Sequence, residues 1–333
     1  MKIAEVEVKE NYLLKIEGLK KHFALSANIF GKTTKSVKAV DEVNLYVKKG
    51  ETLGIVGESG CGKSTMGNTI LRLIEPTEGK IIFEGRDLLK LSPKEMQKVR
   101  RDIQMVFQDP FSSLNPRMRV FDVIAEPLRT HGISKGKELE EMIYGLLETV
   151  GLDRSQADRF PHEFSGGQRQ RIGIARAIAL HPKLIICDEP VSALDVSIQA
   201  QVLNLLIKLQ KELQLTYIFI GHGIPAVKYI SDRIAVMYMG EIVEMASKEK
   251  LFSSTKHPYT LGLINAVPVP DPTLRDARER IIIENDIPDQ INVKEGCRFY
   301  SRCPFGTDKC KTEKPSLIEV EEEHFVACHY PLT

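Results

Sequence analysis

Apolar and polar residues alternate with a period of two over Tyr12–Glu17 and Val43–Val47, which predicts two half-buried strands. Between them, the Gly, Thr, Lys and Ser residues of positions 31–36 read as a loop. Thr52–Val56, Ile103–Phe107, Leu184–Cys187 and Thr216–Ile220 are short continuous apolar runs, the pattern of strands buried on both faces of a parallel sheet. Ile81–Phe83 adds a strand, with a turn at Glu84-Gly85. Helical spacing takes over from Phe121 to Val150, where Met142, Ile143, Leu146, Leu147 and Val150 share a face and Pro127 is expected to break the helix. Further helices are expected after Gly167 and over Ile198–Leu213. Strands alternating with helices predict an α/β fold built on a parallel sheet. From Lys256 onward Pro258, Pro268, Pro270, Pro272 and Pro288 mark a linker into a tail.

Composition narrows the function classes. The 333 residues carry 46 Lys+Arg against 45 Asp+Glu, a net charge of +1, which argues against affinity gained by neutralising many phosphates of a nucleic acid. No apolar run approaches the ~18 residues of a membrane span, and MKIAEVEVKE lacks the basic and apolar regions of a signal peptide, so a soluble, unexported chain is expected. Of six cysteines, two fall in the first 296 residues and four in the last 37, so the tail has a chemistry of its own.

Gly57-Glu58-Ser59-Gly60-Cys61-Gly62-Lys63-Ser64, followed by Thr65, fits the phosphate loop G-x-x-x-x-G-K-S/T and lies between a buried strand and a helix. Its glycines let backbone N–H groups curl around phosphate oxygens, and Cys61 contributes through its backbone. Lys63 is placed for the β and γ phosphates and the Ser64 hydroxyl for Mg²⁺. Asp188 and Glu189, ending the strand from Leu184, supply a carboxylate for the metal shell and a candidate general base. Ser165-Gly166-Gly167-Gln168 forms a second anion site, a serine cap with glycines opening a helix N-terminus. Only one of the two phosphate elements has a lysine. This suggests a sandwich in which each element serves the nucleotide of the other protomer.

At Ser165 to Gln168 the sequence resembles the ATP-binding cassette family, whose signature is S-G-G-Q, and the resemblance runs over residues 12 to 250 in family order. It implies a P-loop NTPase cassette: a RecA-like core with an antiparallel β subdomain and a helical subdomain, here completed by a small Cys-rich C-terminal extension. It also implies ATP and Mg²⁺ as ligands, Gln108 as the Q-loop glutamine on Mg²⁺, Asp195 as the D-loop residue at the dimer seam, and His222 as the switch histidine on the γ-phosphate. The histidine departs from the pattern in being flanked by Gly221 and Gly223 where Ser and Asp are common. Phe23, with Phe30 competing, is the candidate to stack on adenine. Residues 1–255 are expected to form the cassette, its helical part at about 110–180, and 256–333 the extension.

The interval of 125 residues between Lys63 and Asp188 has no room for the long coiled coil of chromosome ATPases, and a single phosphate loop does not fit translation-type cassettes. Exporters usually fuse membrane spans. Val106–Pro116, Lys256–Thr260 and Ala266–Pro272 resemble the dipeptide and oligopeptide permease ATPases, which nickel and some sugar importers share in part. The alternative of a non-catalytic regulatory ATP-binding subunit is disfavoured because Glu189 and His222 are both present. The permease resemblance implies a sister ATPase in a heterodimer, two integral membrane permeases, an extracytoplasmic solute-binding protein, and a place at the cytoplasmic face of the membrane.

Cys297, Cys303, Cys310 and Cys328 have spacings x5, x6 and x17. Disulfides do not suit a reducing compartment, and structural zinc favours tighter C-x2-4-C pairs. The wide spacing, Cys303-Pro304 and the permease resemblance favour a [4Fe-4S] cluster, with Zn²⁺ the alternative. His257, His324 and His329 are candidate alternative ligands, with surface or turn positions the favoured reading.

Overall fold

The computed structural model describes residues 12–27, 33–267, 291 and 295–333. A long antiparallel hairpin, β1 (Tyr12–Ala27) and β2 (Thr33–Lys48), leads into β3 (Thr52–Val56). The glycine loop and α1 (Lys63–Ile70) follow, then β4 (Glu78–Phe83) and β5 (Arg86–Asp87), whose turn places Glu84 and Gly85 at positive φ. α2 (Pro93–Asp102) starts on a Ser92–Glu95 capping box and runs straight into β6 (Ile103–Val106). α3 (Val120–Thr130), α4 (Gly136–Thr149) and α5 (Gly166–Ile178) form a helical layer. Next come β7 (Leu184–Asp188), α6 (Val196–Leu213), β8 (Thr216–Ile220), α7 (Ile224–Ile230), β9 (Arg233–Tyr238), β10 (Glu241–Ser247), α8 (Lys248–Ser253) and α9 (Pro258–Asn265). The tail adds α10 (Asp308–Thr312), β11 (Ile318–Glu321) and β12 (His324–Val326).

Two sheets result. One is antiparallel, in the order β2-β1-β4-β5; the other has the order β11-β12-β10-β9-β3-β8-β7-β6, parallel from β9 to β6. The continuous apolar runs are explained by what lies on each face of the larger sheet. Leu53, Ile55, Met105, Ile186, Ile218 and Ile220 point into one core with β1, β2, β4 and α1, while Val106, Ile185, Cys187, Tyr217 and Phe219 point into another with α3, α5 and α6. With both faces covered, period-two alternation has no polar side to show.

The sequence expectations are corrected at three places. Thr33–Ser36, read as loop, belong to β2. Pro127 lies inside α3 without ending it, and the break falls after Thr130. Val123, Ile124, Ala125 and Leu128 are fully or almost fully buried, and this apolar stripe outweighs the roughly 3 kcal/mol that an interior proline costs. The start of the expected linker is α9, with Tyr259 completely buried.

The tail is joined to the rest at several points. β12 pairs with β10 through Glu244 opposite Val326 and Met245 opposite Phe325. Phe299 packs with Tyr238 and Tyr259 at ring separations of 5.4 and 5.5 Å. Buried Arg298 bonds Asp41, Glu241 and the Met239 carbonyl, and Lys314 bridges Glu42 and Glu241, each at 2.8 Å.

Candidate functional site

The phosphate loop leaves the C-terminal end of β3, a strand buried at all its positions, and enters α1. Glycine is required at both ends by close approach. A Cβ at Gly57 would lie 2.1 Å from the Met237 carbonyl oxygen, and one at Gly62 (φ +108°) 1.9 Å from that of Ala39. Ser59 and Gly60 at the loop tip are exposed, whereas the Cys61 side chain is buried. Lys63 is 4% exposed, and its Nζ donates to the carbonyls of Gly57 (2.8 Å) and Glu58 (2.9 Å), so its charge sits inside the curve of the loop. The Glu58 side chain turns the other way, onto Arg302. Thr65 accepts the Thr69 hydroxyl within α1.

Opposite the loop, Ser64 Oγ donates to Asp188 Oδ1 at 2.9 Å. Burial pushes the Asp188 carboxyl up, reinforced by neighbouring Glu189 and opposed by Ser64 and Lys63. A hydroxyl and a buried carboxylate in contact beside a lysine are hard oxygen donors suited to Mg²⁺. Glu189 follows with φ +45°, and its N–H is held by the Ile220 carbonyl at 2.9 Å. Its Oε2 accepts Gln108 Nε2 at 2.8 Å and lies 3.4 Å from His222 Nδ1. Gln108 and His222 are exposed while Glu189 is mostly covered, which gives a carboxylate oriented by two side chains at the open end of the sheet. All three residues expected to work together are thus in contact.

Ser165 caps α5: its Oγ accepts Gln168 N at 3.3 Å, while Gln168 Oε1 accepts Ser165 N at 3.0 Å. The glycines between them have a packing reason that the sequence does not show. A Cβ at Gly167 would meet Ile198 Cγ2 at 2.4 Å, and one at Gly166 would meet Leu194 at 3.3 Å. The signature is therefore packed against the segment that carries Asp195, itself the exposed N-cap of α6.

Phe23 is 38% exposed, faces Val37 across the hairpin, and lies 4.9 Å under Lys21 Nζ. Val37 is two positions from Ala39, the residue that abuts Gly62. Phe30 lies outside the described residues.

Cys297, Cys303, Cys310 and Cys328 are free thiols lining one pocket with Phe299, Tyr300, Phe305 and Tyr330. Burial pushes Cys297 up to about 12, and the other three thiols add to the shift; burial also raises Cys303 and Cys328. Four soft donors converge, but among the described residues no three His, Cys, Asp or Glu side chains are grouped closely enough to hold a metal as they stand. The histidine expectation is corrected. His257 and His324 are buried, not surface residues: Glu244 accepts His324 Nε2 at 2.8 Å and the backbone N–H groups of Lys256 and His257. The Glu244 carboxylate draws the His324 ring inward, while the His257 ring accepts the Tyr259 N–H at 3.1 Å. His329, only partly exposed, bonds the Glu313 carbonyl.

Sequence reasoning missed Tyr259, whose hydroxyl accepts Glu58 N at 3.0 Å, and Arg302. Tyr259 stands in the Lys256–Thr260 stretch, which pointed only to the permease resemblance, and Arg302 lies in no motif. The one available signal is that Arg298 and Arg302 each adjoin a tail cysteine.

The fold and this constellation define an ATP-binding cassette. A family model described as "ABC transporter" matches residues 40–192, and one described as "Oligopeptide/dipeptide transporter, C-terminal region" matches residues 243–310. The chain is 52% identical to the oligopeptide transport ATP-binding protein AppF of Bacillus subtilis, over 95% of this chain and 97% of that protein. It is 50% identical to OppF of Escherichia coli, over 95% of each. The dimeric post-hydrolysis structure of the cassette MJ0796 with ADP and Pi superimposes with a TM-score of 0.63 and 32% identity, covering 71% of this chain and 98% of that one. The chain belongs to the ABC transporter ATPases, in the branch that carries the oligopeptide/dipeptide C-terminal region, and is an ATP-hydrolysing enzyme. Among the described residues no helix is long and apolar enough to cross a membrane.

Proposed function

We propose that the chain powers the import of short peptides, as a peripheral ATPase at the cytoplasmic face of a membrane. The observation that carries this reading is the likeness, along nearly the whole chain including its C-terminal region, to proteins named for oligopeptide transport. The partners it brings are a sister ATPase forming a heterodimer, two integral membrane permeases and an extracytoplasmic peptide-binding protein. Residues 1–255 act as the cassette, with about 110–180 its helical part, and 256–333 as the extension.

In this reading the backbone of Gly57 to Thr65 and Lys63 hold the phosphates of one ATP, and Phe23 stacks on its adenine. The partner's nucleotide is taken by Ser165 to Gln168, with Asp195 at the seam. Ser64, Asp188 and Gln108 hold Mg²⁺, which when bound neutralises charge between the phosphate oxygens. Glu189 accepts the proton of the attacking water, with Gln108 and His222 orienting its carboxylate. ATP binds the closed dimer better than the open one, and that difference in affinity is what drives the membrane subunits. The test is ATP hydrolysis by the assembled transporter with its binding protein. Di- and oligopeptides should stimulate it, while nickel and sugars should not; stimulation by nickel or a sugar alone would overturn the peptide reading.

The tail pocket is read as the seat of a [4Fe-4S] cluster on Cys297, Cys303, Cys310 and Cys328, which staples a segment too small to hold a large core. Four free thiols on one pocket support this. Burial raises Cys297, Cys303 and Cys328, and these thiols must lose their protons on binding, so loading should weaken as pH falls. Anaerobically purified protein should be coloured, with iron and sulfide in equal amounts; one zinc and no iron would reject the cluster.

A further inference from the structure

We propose that Arg302 is a positioning residue for the phosphate loop, so that the tail sets the affinity of the cassette for ATP. The proposal rests on the reading of Gly57 to Ser64 as the ATP phosphate site.

Four groups pin Glu58, the second residue of that loop. Arg302 grips its carboxylate with both terminal nitrogens, Nη1 to Oε2 at 2.8 Å and Nη2 to Oε1 at 2.9 Å. The Tyr259 hydroxyl holds its N–H at 3.0 Å, and Lys63 Nζ and Cys61 N bond its carbonyl at 2.9 and 3.3 Å. The peptide before Glu58 is therefore fixed from outside the loop by Tyr259, the peptide after it from within by Lys63 and Cys61, and the side chain between them from outside by Arg302. The second of these planes decides where the Ser59 N–H points. A fork of two charge-assisted bonds fixes direction as well as distance, which one surface ion pair does not. The Arg302 side chain is 6% exposed and its Nη1 also reaches the Tyr238 hydroxyl at 3.4 Å, so the guanidinium is itself held in place.

The grip comes from a part of the chain that a bare cassette need not have. The solved cassette MJ0796 is matched over 98% of its length while covering 71% of this chain. Two of the four holders of Glu58, Tyr259 and Arg302, follow residue 255. A phosphate loop that is pre-organised before ATP arrives binds more tightly, because less ordering remains to be done on binding.

The experiment measures ATP hydrolysis by the assembled transporter carrying Arg302→Met, Glu58→Gln, both changes, Arg302→Lys or Lys63→Ala. Each of the first two should raise the KM for ATP about tenfold while leaving kcat nearly unchanged. The double variant should be no worse than either single one, because both remove the same contact. Arg302→Lys should recover part of the affinity, since one of the two bonds survives. An unchanged KM with a lowered melting temperature, or singles whose effects multiply in the double variant, would show Arg302 to be only a fold-stabilising residue and overturn the proposal. If a variant fails to assemble, titration of the isolated full-length Arg302→Lys chain with a fluorescent ATP analogue decides: weaker binding than the parent supports the proposal, equal binding rejects it. If Lys63→Ala binds ATP as the parent does, the loop assignment itself fails. If Lys63→Ala loses ATP and Arg302→Met keeps the parental KM, only the role of Arg302 fails.

Discussion

Glu189 lies where three constraints meet: a left-handed backbone at φ +45°, an N–H held by the adjacent strand, and a carboxylate bonded to Gln108 and 3.4 Å from His222. A non-glycine residue in that conformation costs energy, which the surrounding sheet supplies by fixing Ile220 opposite it. Replacing the carboxylate by an amide preserves shape and removes the base proposed above. Glu189→Gln should therefore bind ATP as the parent does and hydrolyse it about a hundredfold or more slowly, checked by nucleotide titration beside steady-state turnover. Unchanged turnover would remove Glu189 from the reaction. The residue types at this site were legible from motif and order alone, because few side chains can bind phosphate or activate water. The direction of the Glu58 side chain was not, since its partner lies 244 residues away.

At the scale of elements, the sequence patterns named the strands and helices well wherever burial was uniform. They failed where a long-range contact decided the outcome. Pro127 stays in α3 because α4 and α5 cover its apolar stripe, and Pro258 opens a buried helix because Tyr259 fits beside Tyr238 and Phe299. Proline at the first turn of a helix loses nothing, so the same residue that reads as a breaker can serve as a start. The signature offers a further case. Gly167 looks like an opening for phosphate, yet Ile198 of α6 occupies the space where its Cβ would go. Gly167→Ala should destabilise the protein by about 1–3 kcal/mol through overpacking, and Ile198→Ala should relieve much of that loss in the double variant. Denaturant midpoints of the four proteins measure this. A loss of activity at full stability would instead make Gly167 a residue of the nucleotide site alone.

Across the whole molecule, the seam between cassette and tail gathers charge and aromatic rings where the sequence suggested only a linker. His257 is fully buried there, and burial holds its pKa down at about 4 despite the nearby Glu244 carboxylate. An unfolded histidine titrates near pH ~6.5, so between that value and about 4 the unfolded chain binds a proton that the folded chain refuses. Stability is thus fully present above pH ~6.5 and falls as pH drops toward 4, by about 3 kcal/mol at the lower limit. Denaturant unfolding at pH 7.5 and pH 5 should show this loss in the parent. His257→Asn, which keeps an acceptor for the Tyr259 N–H, should flatten the slope; an identical slope would place the pH sensitivity elsewhere.

The position of the tail strands has one more consequence. Without β12, the mostly buried strand β10, with Ile242, Val243, Met245 and Ala246, would be the rim of the large sheet and offer its backbone to any passing chain. The tail ends the sheet instead on β11, a four-residue strand of sequence Ile-Glu-Val-Glu whose carboxylates are exposed. Short, charged rims resist edge-to-edge pairing. The extension thereby gives the large sheet, at that end, a rim poorly suited to pairing with another chain.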